Sequence, residues 1–186
     1  LYEVIIPESQ DGQQKGLKEI LSGMEQFYAG MLSVSAGDNP GEESLILEIA
    51  NSNGSEQSIF YVSVPDSRKD LFEKQILSVF HNAIVTEKID DHNIFNDGGV
   101  SLGSVAYSGG QAIFPFKTYE SFDHDPLNII LNSLTKIKKD GEGACIQVIM
   151  TPATSKYFDL YTESLEKLRK GKTVSEAVAP EFSFGN

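Results

Sequence analysis

The chain has one cysteine and three histidines among 186 residues, and it has no long apolar run. Each scarcity removes a class of function. A single thiol, Cys145, allows no internal disulfide and no zinc site built from thiolates. It lies within the apolar run Ala144-Cys145-Ile146-Gln147-Val148-Ile149-Met150, where a packed bystander is the expected role and a reducing compartment the expected setting. No stretch reaches the 18 or so apolar residues that a membrane span requires. The N-terminus, Leu1-Tyr2-Glu3-Val4-Ile5-Ile6-Pro7, has no basic segment of the kind that opens a signal peptide. It also lacks an initiator methionine, so the chain reads as a piece of a longer protein.

Positive charge is scarce where the acidic residues are dense. Residues 1–100 carry 6 basic and 17 acidic side chains, whereas residues 101–186 carry 9 and 10, so nearly all of the net charge of −12 belongs to the first half. That half is unsuited to following a phosphate backbone, and direct nucleic-acid binding is not expected. The basic clusters of the second half, Lys136-Ile137-Lys138-Lys139 and Lys167 to Lys172, read as solvated helix ends. Asn53-Gly54-Ser55 spells a glycosylation acceptor, but Asn-Gly is first a hairpin turn. With 40% hydrophobic and 10% aromatic residues, the remainder is ordinary globular composition.

The patterning predicts an α+β fold. A short strand over residues 1–7 precedes a helix whose stripe is Leu17, Leu21, Met24, Phe27, Tyr28 and Met31, spaced by threes and fours. Leu45, Leu47 and Ile49 then share one face of a strand, and Phe60, Val62 and Val64 share one face of the next, leaving Tyr61 to face out. Pro65-Asp66-Ser67 stops the third strand and starts a helix with the stripe Phe72, Ile76, Val79, Phe80 and Ala83, followed by a strand from Ile84 to Ile89. This order is the ferredoxin-like βαββαβ arrangement, an antiparallel sheet with its helices on one face.

Gly98-Gly99 marks a joint, dividing a ferredoxin-like subdomain over 1–98 from a second over 99–186 with the order ββαβα. In the second subdomain, Ser101 to Tyr107 and Ala112 to Tyr119 form a hairpin, with Pro115 marking an edge or a bulge. Asp125-Pro126 caps a helix carrying Leu127, Ile130, Leu131, Leu134 and Ile137. Glu142 to Met150 reads as a buried strand. A last helix from Ser155 to about Lys170 turns Phe158, Leu165 and Leu168 inward, and a loose tail follows Ala179.

No constellation carries recognisable chemistry, so neither catalytic residues, metal nor cofactor are expected. Gly171-Lys172-Thr173 ends like a phosphate-binding loop, but Glu166 occupies the earlier glycine position and the tripeptide ends a helix. His92 in Asp90-Asp91-His92-Asn93 and His124 in Asp123-His124-Asp125 resemble acid–base or metal fragments, yet their carboxylates also serve as turn and cap residues; His81 sits within a helix. The third strand lacks the basic residue and glycine of an RNA-recognition sheet. The loop after the first strand lacks the arginine that an acylphosphatase-like site needs.

Phe116-Lys117-Thr118-Tyr119, Asp125-Pro126-Leu127 and the run from Glu142 to Pro152 resemble a family of candidate-phylum bacterial proteins. Those proteins place such a domain ahead of a type IV secretion or conjugation-type ATPase of the FtsK-HerA class, and the likeness extends from Leu17 to Pro152. The resemblance implies a non-catalytic accessory domain at the inner, cytoplasmic face of the membrane. It would act by protein contacts, self-association within a hexameric ATPase or contact with a secretion channel, with Lys117, Thr118 and Tyr119 as the candidate interface. The motor and the membrane helices would lie outside the chain. A free-standing peptide- or protein-binding module is the alternative.

Overall fold

The computed structural model describes residues 1–7, 17–33, 44–51, 55, 57–89, 94–95, 98–106, 117–123, 125–137, 141–151 and 155–178. The fold is α+β, with strands β1 (Tyr2–Ile5), β2 (Leu45–Asn51), β3 (Ile59–Ser63), β4 (Ile84–Glu87) and β5 (Ala144–Met150). Its helices are α1 (Leu17–Ser33), α2 (Lys69–Val79), α3 (Pro126–Leu134), α4 (Ser155–Arg169) and α5 (Val174–Ala177). The strands form one sheet in the order β4-β1-β3-β2-β5, and every neighbouring pair is antiparallel. The first four strands with α1 and α2 are the ferredoxin-like arrangement, and β5 is added beyond β2.

Period-two alternation sets the sheet's two faces. In register, Tyr2 lies opposite Val62 and Val62 opposite Leu47, so the apolar positions of three strands fall on the face that the helices cover. Phe27 and Met31 from α1, and Phe72, Ile76 and Phe80 closing α2, bury themselves there with Tyr2, Val4, Leu45, Val62 and Val64. The cover is partial. At the far end of the same face Phe60 is 43% exposed, while Tyr61, whose side chain lies on the other face, is only 5% exposed. The expectation that Tyr61 alone would be outward on β3 is therefore wrong on exposure though right on direction: Glu3 and Glu48 flank it directly in register.

Helix starts and stops follow their local chemistry. Asp66 opens a one-turn 3-10 helix, Asp66–Arg68, that runs into α2, and the Arg68 N–H donates to the Pro65 carbonyl at 2.9 Å. Lys69, at the first turn of α2, bridges Glu87 at 2.7 Å and Asp66 at 3.1 Å; Glu87 and then Asp66 hold its ammonium far above the ordinary lysine range. Because that pKa is raised, the tie is complete below the usual lysine value and is lost only as pH rises past it.

Arg68 is buried, and its guanidinium donates to the Met31 carbonyl at 2.8 Å. Met31 lies in the last turn of α1, where carbonyls have no intrahelical partner, so the arginine satisfies an orphan acceptor and places positive charge at the negative end of the helix. Arg68→Met, which keeps the buried stem and loses the donors, should cost about 1.5 kcal/mol in urea denaturation. A variant as stable as the parent would show that this hydrogen bond contributes nothing.

Contacts divide the chain into two compact units, one of residues 1–100 with 130–152 and one of 101–129 with 153–186. This differs from a single cut at residue 98, because the chain crosses back: β5 pairs along its whole length with β2, from Leu45 opposite Met150 to Asn51 opposite Ala144. The order α3, β5, α4 is as the sequence predicts. The hairpin ahead of it is not seen in the described part, since 101–106 and 117–118 form no strand. A two-stranded hairpin with no third strand or helix to pack on is marginal in water. Residues 112–116 of its second arm, including Pro115, and the Asn53-Gly54 turn lie outside the described residues.

In the second unit, α4 carries the ion pair Glu163–Lys167 at 2.7 Å on its surface. Its end is a Schellman turn: Gly171 has φ 82°, the Lys172 N–H donates to the Lys167 carbonyl and the Gly171 N–H to that of Leu168. Thr173 then caps the short α5 in a capping box with Glu176, a pairing readable as Thr-x-x-Glu in the sequence but not anticipated. Phe158, expected inward, is exposed. The tail after Ala179 lies outside the described residues.

Candidate functional site

The sequence-derived interface is loosely built. Lys117 and Thr118 are exposed and Tyr119 is half-buried, at the start of a one-turn 3-10 helix, Tyr119–Ser121, in which the Ser121 N–H donates to the Thr118 carbonyl at 2.9 Å. Of the histidines, His81 is exposed with its ring against the Leu77 carbonyl at 3.2 Å, and His92 and His124 lie outside the described residues. Asp125 is a cap, accepting the Leu127 N–H at 2.9 Å. Gly171-Lys172-Thr173 ends α4 and starts a helix of four residues, which is no phosphate cradle. Among the described residues, no three His, Cys, Asp or Glu side chains come together in a way that could hold a metal ion.

The sheet face away from the helices carries one polar row, which alternation puts in register as Thr86, Glu3, Tyr61, Glu48 and Gln147. Lys88 pairs with Glu3 at 2.7 Å, and the Gln147 amide donates to the Glu48 carboxylate. Burial, with Glu3 and Glu48 nearby, pushes the Tyr61 hydroxyl up, and Lys88 partly offsets this. Cys145 shares this face, one step along β5 from Gln147. Burial, and then Glu48, push its thiol up, so at neutral pH it is protonated and a poor nucleophile. The row is a cross-strand hydrogen-bonding and ion-pair system in the middle of a sheet.

Two depressions mark the first unit. One, of about 310 Å³, lies between α1 and α2 beside Gly23, Gln26 and Val79. The other, of about 480 Å³, lies at the ends of β1 and β3 beside Ile5, Ile6 and Phe60. In neither do titratable groups converge as a reaction centre would require.

The feature that stands out is β5. Expected as a buried strand, it is instead the edge of the sheet: among the described residues its one strand neighbour is β2. Only Met150 packs against the core; Ile146 and Val148 on the helix side and Ile149 on the other are exposed, Val148 at 53% and Ile149 at 61%. The core formed by α1 and α2 does not extend over it, so a composition suited to a central strand stands at a margin. The run Ala144 to Met150 holds no charge and no proline, the devices that usually blunt an edge. The opposite edge has them: β4 is four residues long, carries Glu87 in an ion pair with Lys69, and is followed by Lys88 paired to Glu3. The sequence signal for β5 was its apolar alternation without a charged face, which reads equally as a buried strand or a strand awaiting a partner.

A family model described as "Domain of unknown function (DUF8128)" matches residues 5–176. No curated protein and no solved structure matches the chain. No helix of the described residues is long and apolar enough to cross a membrane.

Proposed function

The chain belongs to the DUF8128 family, and from that premise we propose that it is a non-catalytic protein-contact domain that accepts an extended segment of a protein partner along the edge of β5. The observation that supports this is the exposed, uncharged, seven-residue edge set against a β4 edge that is short and charged. An incoming strand gains main-chain hydrogen bonds all along β5, and its alternate side chains meet Ile146 and Val148 on one face or Ile149 on the other. β5 is already paired along its whole length with β2, so the acceptor strand is formed before a partner arrives.

In the parent protein this edge would serve assembly: an accessory domain of a membrane-associated secretion or conjugative DNA-transfer ATPase, placed at the inner face of the membrane by flanking segments. That setting rests on the resemblance of the 116–152 motifs. It requires a membrane segment upstream of Leu1 and a phosphate-binding loop downstream of Asn186 in the open reading frame, and if both are missing the setting fails. Lys117, Thr118 and Tyr119 would then form a secondary contact.

Selection of displayed ten-residue peptides on the immobilised chain tests the edge itself. Uncharged peptides rich in β-branched residues should be enriched, with affinities on the order of 10 µM. Binding should fall at least tenfold with Val148→Lys or Ile149→Lys, which put a charge on an exposed edge position without disturbing the core. Selected peptides that bind both variants undiminished would sink the reading.

A further inference from the structure

The chain carries its own candidate for the incoming strand. Residues 98–106, Gly98-Gly99-Val100-Ser101-Leu102-Gly103-Ser104-Val105-Ala106, follow a turn at Gly98, whose φ is 76°. Val100, Leu102 and Ala106 alternate as a strand's side chains do. Yet among the described residues the segment belongs to no sheet, and Val100, Leu102 and Val105 are almost fully exposed, Leu102 at 96%. Soluble chains seldom leave such a row in water unless something covers it. Thus the sequence reads as a strand where the structure has none, and the sheet ends on a strand with no guard.

Charge says what can cover what. The chain has a net charge of −12, so two copies repel over most of their surfaces. Two of its long uncharged stretches are Gly98 to Phe116 and Gly143 to Ser155, and these contain the exposed segment and β5. Two copies can bring these stretches together without opposing carboxylates, which the charged margin at β4 does not allow. Ser101 and Gly103 leave one face of the segment slim as far as Val105, and Val100 and Leu102 on the other face supply the apolar side chains that would extend the row of Ile146 and Val148.

We propose that β5 of one copy takes residues 98–106 of a second copy as a sixth strand, and that the exchange is reciprocal, giving a twofold dimer. Exchange of an identical element is a low-cost route to a symmetric pair. A strand of about seven residues spans ~23 Å, and at a sheet thickness of ~10 Å two reciprocal additions bury on the order of 1,000 Å². That is the lower end for specific interfaces, so the dimer is weak, with Kd on the order of 10 µM. The inference rests on the strand-accepting reading of β5, and it adds the identity of the strand.

Sedimentation velocity on residues 1–186, from about 1 to about 100 µM, tests it. The chain should pass from monomer to dimer over that range. Leu102→Lys, which spoils the donor, and Val148→Lys, which spoils the acceptor, should each weaken dimerisation at least tenfold. Both positions are exposed, and unchanged far-ultraviolet circular dichroism and melting temperature would show that the variants fold. A mixture of the two variants retains one good donor facing one good acceptor and should form a weak heterodimer where each alone is monomeric. A parent chain that stays monomeric throughout overturns the proposal. So does a Leu102→Lys chain that dimerises as the parent does, since β5 would then be pairing with something else, such as its own copy. A monomer whose β5 amides are protected from hydrogen exchange in a Leu102-dependent way would place the strand within one chain and equally end it. If selected peptides still bind at β5 while the chain stays monomeric, the strand-accepting reading survives and only this inference falls.

Discussion

Truncating Phe72 to alanine is expected to cost about 3–5 kcal/mol of folding stability, the full range for removing a buried phenylalanine. Phe72 has no exposed surface, and its ring is where three elements meet: 5.0 Å from Tyr2 of β1 and 6.1 Å, edge-on, from Phe27 of α1. Phe27 in turn meets Tyr28 at 5.6 Å, so the aromatic contacts run from the sheet through α2 into α1. An alanine leaves a cavity that neither the β1 backbone nor the α1 backbone can close without breaking the sheet register or the helix pairing. Domains of this size are stable by roughly 5–15 kcal/mol, so the variant should melt far below the parent and accumulate in cells at a reduced level. Phe72→Leu keeps most of the volume and should lose about 1–1.5 kcal/mol. In urea the midpoint should fall with the slope unchanged, as expected when the native state alone is weakened. A loss under about 1 kcal/mol for the alanine variant would mean that α1 and α2 do not pack on the sheet through this ring.

Phe72 also illustrates what could be read from the chain before its structure. Period 3.6 with Ile76, Val79 and Phe80 fixes both its helix and its inward direction, because a stripe at that spacing has one way to be dry. The same logic found α1 and the inner face of β2, and it found β1 to β4 in ferredoxin-like order. It failed where burial depends on distant elements. Phe60 obeys the alternation of β3 yet is exposed, because α1 and α2 do not reach that end of the face. Ile146, Val148 and Ile149 have the composition of a central strand, and only the pairing of β5 with β2 shows that the sheet stops there. That pairing spans about a hundred residues of sequence and has no local signature. The candidate site was therefore legible as a strand but not as an edge. Lys117, Thr118 and Tyr119 came from a resemblance alone, and the structure places them on an exposed turn.

Gly143→Ala should disturb that edge more than any substitution on its surface. Gly143 is the last residue before β5, and a β-carbon there would run into the Ile94 carbonyl oxygen and come within 3.2 Å of the Asn51 carbonyl oxygen. Both obstacles are backbone, so no rotamer relieves them, and either the 94–95 segment or the first rung of the ladder, Asn51 opposite Ala144, must move. Asn51 is itself buried and accepts the Ser58 hydroxyl at 2.6 Å at the base of the β2–β3 pair, so movement of the rung is resisted. The expected cost is about 2–3 kcal/mol. Gly30 gives the contrast. A β-carbon there meets only the amide end of Gln75, which can swing away, and the gain in helix propensity makes Gly30→Ala neutral or stabilising by up to about 1 kcal/mol. Hydrogen exchange read alongside urea denaturation separates the two. In Gly143→Ala the amides of β5 should lose protection before those of β1 and β3, and peptide binding at the edge should weaken, because an acceptor strand that frays from β2 must be ordered again each time it is used. A Gly143→Ala chain with parental stability and undiminished protection of β5 would show that the backbone of Ile94 does not crowd this position, and with it that β5 is held at the sheet edge by some other contact.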